Sequence, residues 1–102
     1  MKRGQLNKKI LNIWYAFTEG DEIDQADLKF FAYLDFNIKN EKRLKYDSMQ
    51  LSDIDCMCYL MEKKYIKVEK IKDDTEDWRV ISVDKEFYMN LQKILYISYV
   101  NI

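Results

Sequence analysis

Histidine and proline are absent from the 102 residues, and glycine occurs twice, at Gly4 and Gly20. Without histidine the chain lacks the usual general base near neutral pH and the commonest metal ligand. Two glycines are too few for the turn-rich chemistry of propellers and small barrels, so long helices are favoured. Cysteine is also scarce. Cys56 and Cys58 lie two apart, a spacing that points them to nearly opposite sides of a helix and is not by itself a zinc spacing. They read as small buried thiols of a reducing compartment. No apolar run approaches the roughly 20 residues of a membrane span. The start "MKRGQLNKKIL" is basic, but its apolar positions are periodic rather than continuous, unlike a secretion signal. A cytoplasmic protein is expected.

What is present is globular. Almost half of the chain is apolar, 15% is aromatic and 34% is charged, with a net charge of −1. Disordered chains are poor in aromatics and charged in one sign. The length suits one domain over 1–102 with a usable core.

The pattern along the chain is helical at first. Leu6, Ile10, Ile13, Trp14 and Phe17 share one helical face within 5–18, and Gly20 stands where a C-terminal cap is expected. Asp24, with Asp27 three residues on, reads as the N-cap of a second helix over 25–36. Leu28, Phe31, Ala32 and Leu34 form its stripe, and Asn37 ends it in a left-handed turn. Residues 37–50 are irregular: strand, helical turn and loop all fit. A third helix over 53–64 is expected from Ser52 as N-cap with Asp55 in a capping box, and from Leu51 packing on Cys56 as a staple. Its buried stripe is Ile54, Met57, Cys58 and Met61, with Leu60 beside them.

The period then changes to two. Ile66 and Val68 alternate with Lys67 and Glu69, and Trp78 and Val80 alternate with Arg79 and Ile81. Two antiparallel strands, 65–71 and 78–83, are expected around the tip "DDTED", with Trp78 anchoring them to the helices. Asp84 caps a last helix. Phe87, Leu91, Ile94 and Leu95 make one face of it, and Tyr88, Tyr96, Tyr99 and Val100 widen that face beyond what a small domain covers alone. A partner chain is expected to cover the excess.

The fold class is therefore α+β and mostly helical. The stretch "DIDCMCYLMEKKYIKVEKIKDDTEDWRVISVDKEF", with Ile54, Leu60, Lys64, Tyr65 and Ile66 at the matching positions, resembles the second half of a winged helix-turn-helix domain. The resemblance covers residues 5–98 and is architectural, similar to the MarR-like and PadR-like regulators. Lys64-Tyr65 stands where a turn glycine is common in that superfamily. The resemblance implies a recognition helix over 53–64, a two-stranded wing, and a C-terminal helix, about 84–100, that forms a homodimer through Phe87, Leu91, Ile94, Leu95 and Tyr99. It implies double-stranded DNA as the partner, no cofactor and no metal.

Charge is segregated along the chain. Basic blocks at 1–9, 36–46 and 63–72 alternate with acidic blocks at 19–27, 47–55 and 73–77. If folding gathers the basic blocks, Lys39, Asn40, Lys42, Arg43 and Lys45 meet phosphates on one side and Lys67 or Lys70 on the other. Asn40, Arg43 and Gln50 are candidates for base contacts, and Ser52 lies on the groove-facing side of the third helix. Any one lysine more often serves only solubility. The third helix also presents Asp53, Asp55 and Glu62, a poor match for a phosphate-lined groove. That acidity favours an alternative, a protein-interaction module or phage-type inhibitor that meets a host protein through carboxylates. Enzyme chemistry has the least support: no phosphate-cradling glycine loop and no nucleophile motif is present.

Overall fold

The computed structural model describes residues 6–100. Lys2 and Arg3 of the first basic block lie outside them. The order is α1 (Lys8–Thr18), α2 (Gln25–Lys39), a 3-10 turn (Tyr46–Ser48), α3 (Leu51–Glu62), β1 (Ile66–Lys70), β2 (Trp78–Val83) and α4 (Lys85–Val100). The class is α+β, with four helices and one two-stranded antiparallel sheet among the described residues. None of these helices is long and apolar enough to cross a membrane.

Each helix starts where a polar side chain meets a free backbone N–H. Asn7 accepts from the Lys9 N–H, and Asp24 and Asp27 form the expected reciprocal pair at the start of α2. Asp84 accepts from the Phe87 N–H at 2.9 Å. The third helix departs from expectation. It begins two residues early, with Gln50 as N-cap, and the Asp53 carboxylate accepts from the Gln50 N–H at 2.8 Å. Ser52 is thus inside the helix. Leu51 is 74% exposed and makes no staple.

The inward face differs as well. Asp53, Cys56, Met57 and Leu60 face inward, one residue out of step with the expected stripe, and Cys58 and Met61 are exposed. The second helix runs on to Lys39. Asn37 does not end it in a left-handed turn; it is buried within the helix, its amide donating to the Tyr33 carbonyl at 2.7 Å. The left-handed residue is Glu41, at φ 52°. At the end of α1 the left-handed residue is Glu19, with Gly20 following at φ 110°.

The aromatic core centres on Trp14, which is 1% exposed and packs against Phe17, Phe31, Tyr59, Tyr65 and Phe87. Tyr65 and Phe87 stack at 5.3 Å between centroids. Thus α1 lies on α4, and α2 packs against both α3 and α4. Phe30, a residue outside the expected stripe of α2, is fully buried. Phe87, Leu91, Ile94 and Leu95 belong to this core as well, at most 3% exposed. A second chain cannot reach them in the folded protein, which corrects their assignment to a dimer interface. The exposed apolar residues of α4 are Met89, Tyr96, Tyr99 and Val100.

The hairpin carries a bulge. Lys67 pairs with Ser82 and Val68 with Val80, so Ile81 has no partner and is pushed outward. Leu44, fully buried, forms a bridge with Trp78. The irregular segment is therefore a bridge residue followed by a helical turn, and it is laced to the hairpin along its length.

Candidate nucleic-acid interface

The α2–α3 connection and β2 form the two walls of an open cleft of about 580 Å³. Tyr33, Phe36 and Asn37 supply the α2 side. Lys42 and Lys45 come from the connection, and Arg79 from the strand. A neighbouring depression, sharing Asn37, Lys42 and Arg79 with the cleft, runs along β2 past the bulged Ile81. Lys45 is held in place through its backbone, whose N–H donates to the Tyr33 hydroxyl at 2.9 Å. Lys42 places its ammonium 5.4 Å from the centroid of the Phe36 ring. Arg79 stands opposite Glu69 in the ladder. None of these three cations forms an ion pair with any described residue. Glu41 also lines the cleft and subtracts one charge.

Arg43 touches the same cleft but is already occupied. Its Nη1 contacts Asp73 at 3.0 Å, Asp77 at 3.2 Å and the Thr75 hydroxyl at 3.4 Å. Asp77, mostly buried, also accepts from the Tyr46 N–H at 3.0 Å. The hydrogen bonds from the Thr75 hydroxyl and backbone N–H, with Arg43 adding its charge, hold the Asp73 carboxyl down to about 2. The same carboxylates raise the Arg43 pKa. Arg43 therefore fastens the hairpin tip to the α2–α3 connection.

The other expected contacts are dispersed. Lys39 is the last residue of α2 and pairs with Asp35 at 3.0 Å, while Gln92 and Tyr88 of α4 donate to that same carboxylate. The hydrogen bond to Asp35 raises the Lys39 pKa. Asn40 turns its amide back to the Phe36 carbonyl. Gln50 caps α3 and accepts from Lys29 at 3.3 Å. Lys70 pairs with Glu76 at 2.6 Å. Lys67 is exposed beside Lys64 and Tyr65 at a separate depression. Ser52 lines a different pocket, with Glu22, Asp24, Asp27 and Asp55 around it. Burial raises the Asp27 carboxyl pKa there and pushes the Cys56 thiol far up, leaving it protonated.

Thus Lys42, Arg43 and Lys45 converge, and Lys39, Lys67 and Lys70 do not join them. Sequence reasoning missed Arg79 as a site residue, although its place between Trp78 and Val80 in a period-two stretch marked it as outward. The outer face of α3 carries Leu51, Asp55, Cys58 and Glu62, all exposed, and no cation until Lys63. Lys63 in turn pairs with Asp21 at 3.4 Å, and Asp21 also accepts from the Tyr59 hydroxyl at 2.6 Å. No three Asp, Glu or Cys side chains among the described residues gather as metal ligands do.

No family model, curated protein or solved structure matches this chain.

Proposed function

We propose that this chain is a small DNA-binding protein of winged-helix type, a transcriptional regulator or a centromere-type binder of a plasmid or phage. In this reading it grips the nucleic-acid backbone at the α2–α3 connection and the wing, rather than through α3. The observation that carries the reading is the convergence of Lys42, Lys45 and Arg79, from two separate stretches, on one cleft without partner carboxylates. Phosphate contacts supply affinity without sequence information. Three of them give a salt slope on duplex DNA of about −2.7. The helix order and the hairpin after α3 support the winged-helix assignment.

Charge reversal tests the reading. Lys42→Glu, Lys45→Glu and Arg79→Glu together abolish binding to mixed-sequence DNA in fluorescence anisotropy at low salt, and the fold survives because all three are exposed. Wild-type protein that binds no DNA even at low salt sinks the reading. Arg43 is a poor choice for this test, since reversing it also frees the hairpin tip.

A second reading has its own support. The acidic outer face of α3, with exposed Leu51 beside Asp55, suits a basic protein surface better than a groove. Here Asp55→Lys with Glu62→Lys abolishes capture of a host partner, while the cleft variant leaves it intact. Asp53 is unsuitable for reversal, because it is buried and caps α3.

A further inference from the structure

We infer that the cleft takes single-stranded rather than duplex nucleic acid, stacking an unpaired base on Phe36 while Lys42, Lys45 and Arg79 hold the flanking phosphates. This inference rests on the backbone-gripping cleft of the nucleic-acid reading above and replaces its duplex ligand with a single strand.

Phe36 carries the argument. It is 52% exposed and stands outside the apolar core, yet it lies in the cleft where the free cations converge. A large exposed ring has no counterpart in a wall of phosphates. Bases offer such a ring a π-face only when they are unpaired, and aromatic platforms ringed by cations bind single strands in this way. The contact between Lys42 and the ring is exchangeable: an entering base takes the ring face and the ammonium moves to the adjoining phosphate. Ile81, 47% exposed in the neighbouring depression that shares Lys42 and Arg79 with the cleft, offers an apolar surface for the next base or sugar. Asn37 lines the cleft, but its amide is committed to the Tyr33 carbonyl, so the readout is tolerant of sequence.

The rest of the molecule argues against a duplex. Major-groove reading needs a helix whose outer side chains donate to bases and tolerate phosphates. The outer face of α3 presents Asp55 and Glu62, and the acidic pocket at its start places Glu22 and Asp24 nearby. A single strand follows the cleft without touching that face.

The test uses the full chain and three dye-labelled probes at low salt: a 12-residue oligothymidylate, a mixed-sequence duplex, and an oligomer of the same length lacking bases. Oligothymidylate is expected to bind at least about fivefold more tightly than either other probe. Phe36→Ala is expected to remove that preference, and Phe36→Trp to keep it. Position 36 is half-exposed and outside the core, and a circular dichroism melt confirms that each variant folds. Glu41→Gln removes the one unneutralised carboxylate of the cleft and is expected to tighten binding. Equal or tighter binding of the duplex or the baseless oligomer overturns the single-strand inference and leaves the nucleic-acid reading standing. So does Phe36→Ala with unchanged preference. No binding of any probe overturns both.

Discussion

Lys64 carries the chain out of α3 at φ 65°, in the left-handed region that side chains with a Cβ avoid at a cost of roughly 1–2 kcal/mol. Its N–H donates to the Met61 carbonyl at 3.0 Å and the Tyr65 N–H to the Leu60 carbonyl at 2.9 Å, so the turn satisfies the end of the helix and leads straight into β1. Only glycine takes this conformation freely, although it has more freedom to lose on folding. Lys64→Gly is therefore expected to raise stability by about 0.5–1 kcal/mol net, read as a higher denaturant midpoint at unchanged slope. A lower midpoint would mean that the lysine stem packs on the turn and contributes more than the backbone strain costs.

The hairpin is the element whose placement depends most on charge. A two-stranded sheet is marginal alone. Here the Leu44–Trp78 bridge and the ties of Arg43 to Asp73 and Asp77 attach it to the helices. Asp73 ionises at about 2 in the folded chain, below the ordinary carboxylate range near 3.9. Between those values the unfolded chain holds the extra proton. The stabilising contribution of Asp73 is thus complete above about pH 4 and is lost as the pH falls through about 2. Asp73→Asn is expected to flatten the decline of the thermal midpoint between about pH 4 and pH 2, and an unchanged decline would place acid sensitivity elsewhere.

Much of this element order was legible from periodicity, since α1, β2 and the inner face of α4 follow repeats of 3.6 or 2 that need no distant partner. The segment 37–50 was not. Leu44 becomes a bridge residue only because Trp78, 34 positions later, meets it, and Arg43 becomes a clasp only through carboxylates 30 and 34 residues away. The start of α3 was misread because Ser52 has the chemistry of a cap, while the capping is done by Asp53 acting on Gln50. Its inward face was misread by one residue because apolar periodicity leaves out a charged side chain, and Asp53 is buried there. Of the cleft, Lys42 and Lys45 were visible as part of a basic cluster. Arg79 and Phe36 were not, because charge counting ignores a lone strand arginine and Phe36 stood at the expected end of its helix, outside the apolar stripe, where nothing linked it to the cations.

At the scale of the whole molecule, α4 has two unlike sides. Its inner side closes the protomer's own core, and its outer side leaves Met89, Tyr96, Tyr99 and Val100 more than half exposed. A homodimer, which the winged-helix resemblance implies, is expected to use that outer side. Leu91→Ala then costs about 2–5 kcal/mol of stability and leaves the mass from light scattering unchanged. Tyr96→Glu with Tyr99→Glu does the reverse, halving the mass with little loss of protomer stability. A wild-type chain that scatters as a monomer at high concentration overturns the dimer expectation.

Because Arg43 and the Leu44–Trp78 bridge join the hairpin to the α2–α3 connection, the backbones that carry Arg79 and the two lysines are already tied together before anything arrives. An incoming strand would meet walls already joined and spend its contact energy on moving side chains rather than on closing the backbone. The heat-capacity change measured by calorimetry should then follow from the area covered alone, without the surplus that accompanies ordering of a loose loop.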